Sequence, residues 1–76
     1  MLVMLDKKLS LKIQKLIKSL RKKYGFSQAR WAKLSHVDAG HIQRLESSTP
    51  VAVRLDTIIK LAKGLNLSVS EFLDGL

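Results

Sequence analysis

Leu9, Ile13, Leu16, Ile17, Leu20 and Tyr24 recur at intervals of three and four residues, with Lys12, Lys15 and Lys18 between them. That period puts the apolar side chains on one stripe of a helix with lysines opposite, and predicts a first helix from about Ser10 to Tyr24. Gly25 then supplies a residue free to take positive φ at the C-terminal stop. Ser27 can cap a second helix, from Gln28 to about Leu34, whose buried positions would be Trp31, Ala32 and Leu34. Phe26 packs against its start as a hydrophobic staple. Asp38 can cap a third, from about Ala39 to Glu46, with Ile42 and Leu45 inward. Only Ser35-His36-Val37 separates this pair of helices, so they meet at a steep angle with Val37 in the corner.

Ser47 to Arg54 reads as a loop, because Pro50 lacks a donor and restricts its predecessor to extended conformations. A fourth helix shows Leu55, Ile58, Ile59, Leu61, Ala62 and Leu65 and stops near Asn66, a residue tolerant of the left-handed region. Ser68-Val69-Ser70-Glu71 is a capping-box pattern, which starts a fifth helix at Val69 with Phe72 and Leu73 inward. The expectation is an all-α chain of five helices: residues 1–9 an arm, apolar then basic, and residues 10–76 one domain, with the paired helices at 27–46. There is no internal repeat.

Composition narrows the class. At 76 residues the chain is one domain, and such a chain buries only about 60 to 65% of its unfolded surface, so stability is modest unless it dimerises. Hydrophobic residues at 46%, with one proline, fit a compact helical fold rather than disorder. With no cysteine, neither disulfides nor thiolate zinc sites staple it. Met1 to Leu5 is too short for a membrane span and precedes the lysines where a secretory signal would follow them. A cytoplasmic protein with no membrane partner is expected.

Net charge is +8 and its distribution is lopsided. Residues 1–34 hold ten Lys/Arg against Asp6, whereas residues 35–76 hold four against five acids. A cationic half suits a polyanion such as nucleic acid, since cations that neutralise phosphates release counterions. The plain alternative for Lys7 to Lys18 is a solvated face that keeps a small helix soluble. Catalysis has little support. His36, Asp38 and His41 straddle a turn without the helical spacing of a metal site, and no glycine-rich phosphate loop is present. No enzyme activity, metal or cofactor is expected.

The outer face of the third helix, Ala39, Gly40, Gln43 and Arg44, carries no apolar stripe that asks for burial. Together with Leu20-Arg21, Gly25-Phe26-Ser27-Gln28, Trp31-Ala32, Ser35, Val37, Ile42, Arg44-Leu45-Glu46, Leu55, Thr57-Ile58, Leu61-Ala62, Leu65 and Leu67-Ser68, it resembles the lambda Cro and repressor-type family, also called xenobiotic response element-type regulators. The resemblance spans about residues 13–73. It implies a lambda-repressor-like fold and a double-stranded DNA-binding transcriptional regulator, a repressor or autoregulator, whose third helix enters the major groove.

By the same resemblance, bases are read from Ala39, Gly40, Gln43 and Arg44, and Arg54 falls where relatives reach the backbone or minor groove. Arg44 has the planar fork that bonds guanine O6 and N7, whereas Ala39 offers only a methyl group and Gly40 nothing, a departure from relatives with glutamine or serine there. Phosphate candidates are Ser27, Gln28, His41, Ser47 and Ser48, with Gln28 favoured by the free amides of a helix start. Arg21 and Glu46 are implied as a structural ion pair, Trp31 stands as an enlarged core residue where the family has leucine, and His36 replaces the usual turn glycine. Most of helix 1 points away from DNA in this fold, so Lys12 and Lys15 are expected to act through the field.

A homodimer would set two such helices about 34 Å apart, using Leu65, Leu67, Leu73, Leu76 and the Met1–Leu5 arm. The alternatives are an antitoxin or other interaction module that masks a partner protein, and nonspecific binding of nucleic acid or anionic membrane through the lysine-rich first helix.

Overall fold

Three of the helices stop at a residue in the left-handed region, and each stop fixes where the next element begins. The computed structural model describes residues 7–76, which form α1 (Lys7–Lys23), α2 (Gln28–Ser35), α3 (Ala39–Leu45), α4 (Leu55–Gly64) and α5 (Val69–Leu73). Gly25 (φ 72°) follows α1, His36 (φ 58°) caps α2 and Asn66 (φ 59°) follows α4. Just beyond each, an amide reaches back to a last-turn carbonyl: Phe26 to Arg21, Val37 to Ala32 and Leu67 to Ala62. These bonds satisfy carbonyls that a helix end leaves unpaired. Glycine enters this region freely, and histidine and asparagine are among the few other residues that do so readily.

All regular elements among the described residues are helices, so the fold is the all-α, five-helix class that the periodicity predicts. One core joins Ile13, Leu16 and Ile17 of α1, Trp31 of α2, Val37 of the turn, Ile42 and Leu45 of α3, Ile58, Leu61 and Ala62 of α4, and Phe72 of α5. The Ser68 capping box at α5 is complete, with Ser68 Oγ accepting from the Glu71 amide and Glu71 accepting from the Ser68 amide. The bond from the Ser68 amide, then that with its hydroxyl, holds the Glu71 carboxyl below its ordinary 4.5. With its folded pKa depressed, the cap contributes fully above that ordinary value and fades as pH falls through the lower folded one.

Several positions differ from the pattern. α1 is already helical at Lys7, ahead of the expected Ser10, and Leu9 packs on the core from within the helix. Residues 1–6, and with them the Met1–Leu5 arm, lie outside the described residues. Tyr24 is 40% exposed, since α1 ends before it and the chain turns away at Gly25. Leu55 is exposed at the open first position of α4. Leu65 is buried in the core and so is withdrawn from any outer dimer surface, whereas Leu76 is exposed and Leu67 and Leu73 are half-buried.

Leu34 is exposed at 43% because Ser35 takes the inward place instead. The reason is a close approach of α2 to α4. A Cβ on Gly64 would stand 2.9 Å from the Ser35 Cβ and 3.1 Å from Trp31 Cδ1, so only a glycine facing a small residue allows this spacing. Trp31 is fully buried and its indole N–H donates to the Leu61 carbonyl at 3.1 Å. That carbonyl is available because the Leu65 amide turns to Ala62 as α4 closes. The enlarged aromatic residue thus fills the core and ties off a helix end at once.

Gly64→Val should force Ser35 and Trp31 apart and destabilise the fold by about 1 to 3 kcal/mol, the usual cost of overpacking. Urea unfolding followed by Trp31 fluorescence measures it, and an unchanged midpoint would disprove the tight α2–α4 contact.

Candidate nucleic-acid interface

The polar side of α3 faces outward because the helix is fixed in rotation along its length. At its start the Asp38 side chain accepts from the His41 amide at 3.3 Å, completing an N-cap. Along its inner side Ile42 and Leu45 have no exposed surface. With those two turned in, the 3.6-residue repeat turns Ala39, Gln43 and Arg44 out, and all three are exposed. Gly40 and His41 are half-buried on the flanks.

Gly40 has a local structural meaning. A Cβ there would lie 2.9 Å from Asp38 Oδ2 and 3.8 Å from Arg44 Nη1, so the capping carboxylate and the Arg44 guanidinium border the space that a side chain would occupy. The glycine costs about 1 kcal/mol of helix propensity relative to alanine, and it leaves the cap undisturbed.

At its far end α3 is gripped by α1. Arg21 donates from Nε to Glu46 Oε2 at 2.6 Å and from Nη2 to Oε1 at 2.9 Å, while Nη1 donates to the Phe26 carbonyl at 2.8 Å. The bond to Glu46 holds the Arg21 pKa above its ordinary value against the opposing effect of burial. Two turns earlier on the same side of α1, Gln14 is 3% exposed and spans three backbone groups. Its amide nitrogen donates to the carbonyls of Leu45 at 3.0 Å and Thr49 at 3.1 Å, and its oxygen accepts from the Val51 amide at 3.1 Å. The fork-to-carboxylate pair fixes the last turn of α3, and Gln14 fixes the segment that leaves it.

The flanking candidates are placed as follows. Ser27 is exposed, and its hydroxyl accepts from the Arg30 amide as the α2 cap. Gln28, first residue of α2, is half-buried. Arg30 lies over the Phe26 ring with its guanidinium carbon 5.6 Å from the centroid, a cation–π contact at the entry to α2. Ser47 and Ser48 are exposed beyond α3, and the Ser47 hydroxyl donates to the Arg44 carbonyl at 2.7 Å. Arg54 is exposed at the start of α4 and pairs with Asp56 at 3.1 Å. An exposed pair of that kind is worth about 0 to 1 kcal/mol, so it does not sequester the guanidinium from an anion.

Two features escape a reading by apolar period alone. Gln14 is one, and its signal is the spacing Ser10, Gln14, Ile17, Arg21, a largely polar seam beside the apolar stripe of α1. The other is Val53, fully buried although it sits in a loop, with Val51 half-buried two residues before it. Their alternation is that of an extended segment with one face inward.

Among the described residues no group of three or more His, Cys, Asp or Glu is arranged to hold a metal, and no helix is long and apolar enough to cross a membrane. A protein-family model described as helix-turn-helix matches residues 17–72, more than half of the chain. No curated protein and no solved structure matches it.

Gln14→Leu would leave the Leu45 and Thr49 carbonyls and the Val51 amide without their partner. A loss of about 1 to 3 kcal/mol is expected, together with faster amide exchange across residues 47–53. Denaturant unfolding and hydrogen exchange measure both, and unaltered exchange there would show that the clamp is not needed.

Proposed function

Because the chain belongs to the Cro/repressor-type helix-turn-helix family of DNA-binding regulators, we propose that it is a sequence-specific transcriptional regulator that sets α3 in the major groove of double-stranded DNA. The observation that carries this reading is the outward display of Gln43 and Arg44 on a helix anchored by the Asp38 cap, by buried Ile42 and Leu45, and by the Arg21–Glu46 pair. A rigid element presents base-reading side chains with little ordering cost on binding.

In this reading Arg44 bonds a guanine edge and Gln43 an adenine edge or a phosphate. Ala39 contacts a thymine methyl, and Gly40 admits the duplex closely. Arg54 reaches the backbone or a narrow minor groove. Ser27, Gln28, His41, Ser47 and Ser48 line the approach of the phosphates. With so few donors at Ala39 and Gly40, specificity leans on Arg44, Gln43 and DNA shape, and the lysine-rich half supplies affinity through its field. Repression or autoregulation by a cytoplasmic homodimer at a near-palindromic site is the form such a domain would take. The exposed Leu76 and half-buried Leu67 and Leu73 are the apolar surface available for pairing.

A second reading draws on the Ala39–Gly40 end, which presents no side-chain donor: an antitoxin or interaction module that masks a partner protein. A stoichiometric small protein that co-purifies with the chain would favour it.

The test is selection of bound duplexes from a random library, followed by gel shifts over rising salt with the wild type and Arg44→Ala. The wild type should enrich a motif, and the variant should bind that motif about tenfold or more weakly while relaxing preference at one base pair. No binding even at low salt would reject the proposal.

A further inference from the structure

Gln14 has an effect beyond α3 itself, because its bonds to the Leu45 and Thr49 carbonyls bracket Ser47 and Ser48 and draw that segment down onto α1. The result is an open recess of about 270 Å³ between α1 and the residues after α3, lined by Leu11, Gln14, Lys15 and Lys18 on one side and by Glu46, Ser47 and Ser48 on the other. Lys15 and Lys18 are three residues apart and so are neighbours on one face of the helix. Both are exposed, and among the described residues no carboxylate lies within ion-pair distance of either. Glu46, the acid in the lining, gives both oxygens to Arg21. The Ser47 hydroxyl is committed to the Arg44 carbonyl, whereas that of Ser48 has no partner among the described residues.

Two uncompensated ammonium groups and a free hydroxyl donor around one open recess are the complement of a phosphate, with Leu11 and the lysine stems supplying its apolar wall. We propose that this recess holds a phosphate of the DNA backbone beyond the C-terminal end of α3, with Lys15, Lys18 and Ser48 as its ligands. The proposal rests on the DNA-binding reading and adds to it. The two lysines become direct contacts rather than distant contributors to the field, and α1 becomes part of the bound surface. A backbone phosphate is favoured over a free anion because the recess adjoins the last turn of α3, so a duplex seated on that helix brings its own phosphates there. Gln14 acts as the positioning residue: without its clamp the serines are not held over the lysines.

The experiment compares Lys15→Gln/Lys18→Gln with a control of equal charge, Lys60→Gln/Lys63→Gln, whose lysines are exposed on α4 and do not line the recess. Affinity for a labelled mixed-sequence duplex is measured over a range of salt. The recess variant should flatten the slope of log K against log salt by about 0.9, the value for one lost phosphate contact on duplex DNA. The control should flatten it by less than half as much, and Lys15→Arg/Lys18→Arg should keep the wild-type slope. Ethylation of individual phosphates should reveal one position that blocks the wild type but not the recess variant. Equal flattening by both glutamine variants would overturn the recess and leave the DNA-binding reading standing, whereas no duplex binding by the wild type would overturn both. Saturable binding of inorganic phosphate alone, seen as amide shifts at Ser47 and Ser48, would overturn the assignment to the DNA backbone.

Discussion

The grip of α1 on the far end of α3 is the constraint on which the exposed surface depends. α3 has seven residues, and isolated helices shorter than about 12 to 15 residues are marginal in water. Its existence and its rotation are therefore set from outside. Ile42 and Leu45 supply the burial, Asp38 closes the first turn, and the bidentate Arg21–Glu46 bond with the Gln14 amide closes the last. Remove any of these and the outward face loses a defined direction before it loses any contact of its own.

The polar groups used for this purpose are costly unless complete. A half-satisfied buried network is worse than an apolar one, and among the described residues no buried side-chain nitrogen or oxygen lacks a partner. Glu46 accepts two donors, Arg21 also closes on the Phe26 carbonyl, and both ends of the Gln14 amide are used. A partly buried ion pair contributes less to net stability than to choosing one arrangement over others. Here the arrangement chosen is the register between α1 and α3. The opposite side of the bundle works by shape, with Gly64 and Ser35 letting α2 and α4 approach until the Trp31 indole reaches a free carbonyl.

Charge and shape divide the work of meeting a duplex. The cationic half of the chain attracts any polyanion, but attraction carries no sequence information. Discrimination depends on the few side chains that α3 turns outward, of which Arg44 has the strongest directional bonding. A face so short of donors makes the position of each phosphate contact matter more, since those contacts set where Arg44 meets the base edges.

The sequence alone determined the number and class of the elements. Apolar intervals of three and four, caps at Ser27, Asp38 and Ser68, and stop residues at Gly25, His36 and Asn66 are local signals, and they act over a few residues whatever the rest of the chain does. The likeness to a regulator family was equally legible, because it rests on residue types at fixed spacing. Tertiary structure alone decided that Ser35 and not Leu34 turns inward, that Val53 enters the core from a loop, and that Gln14 joins backbone groups more than thirty residues away. It also decided that Lys15 and Lys18 share a recess with Ser47 and Ser48. These depend on which surfaces meet across the bundle, and a periodicity that shows which side of a helix is buried does not show what it is buried against.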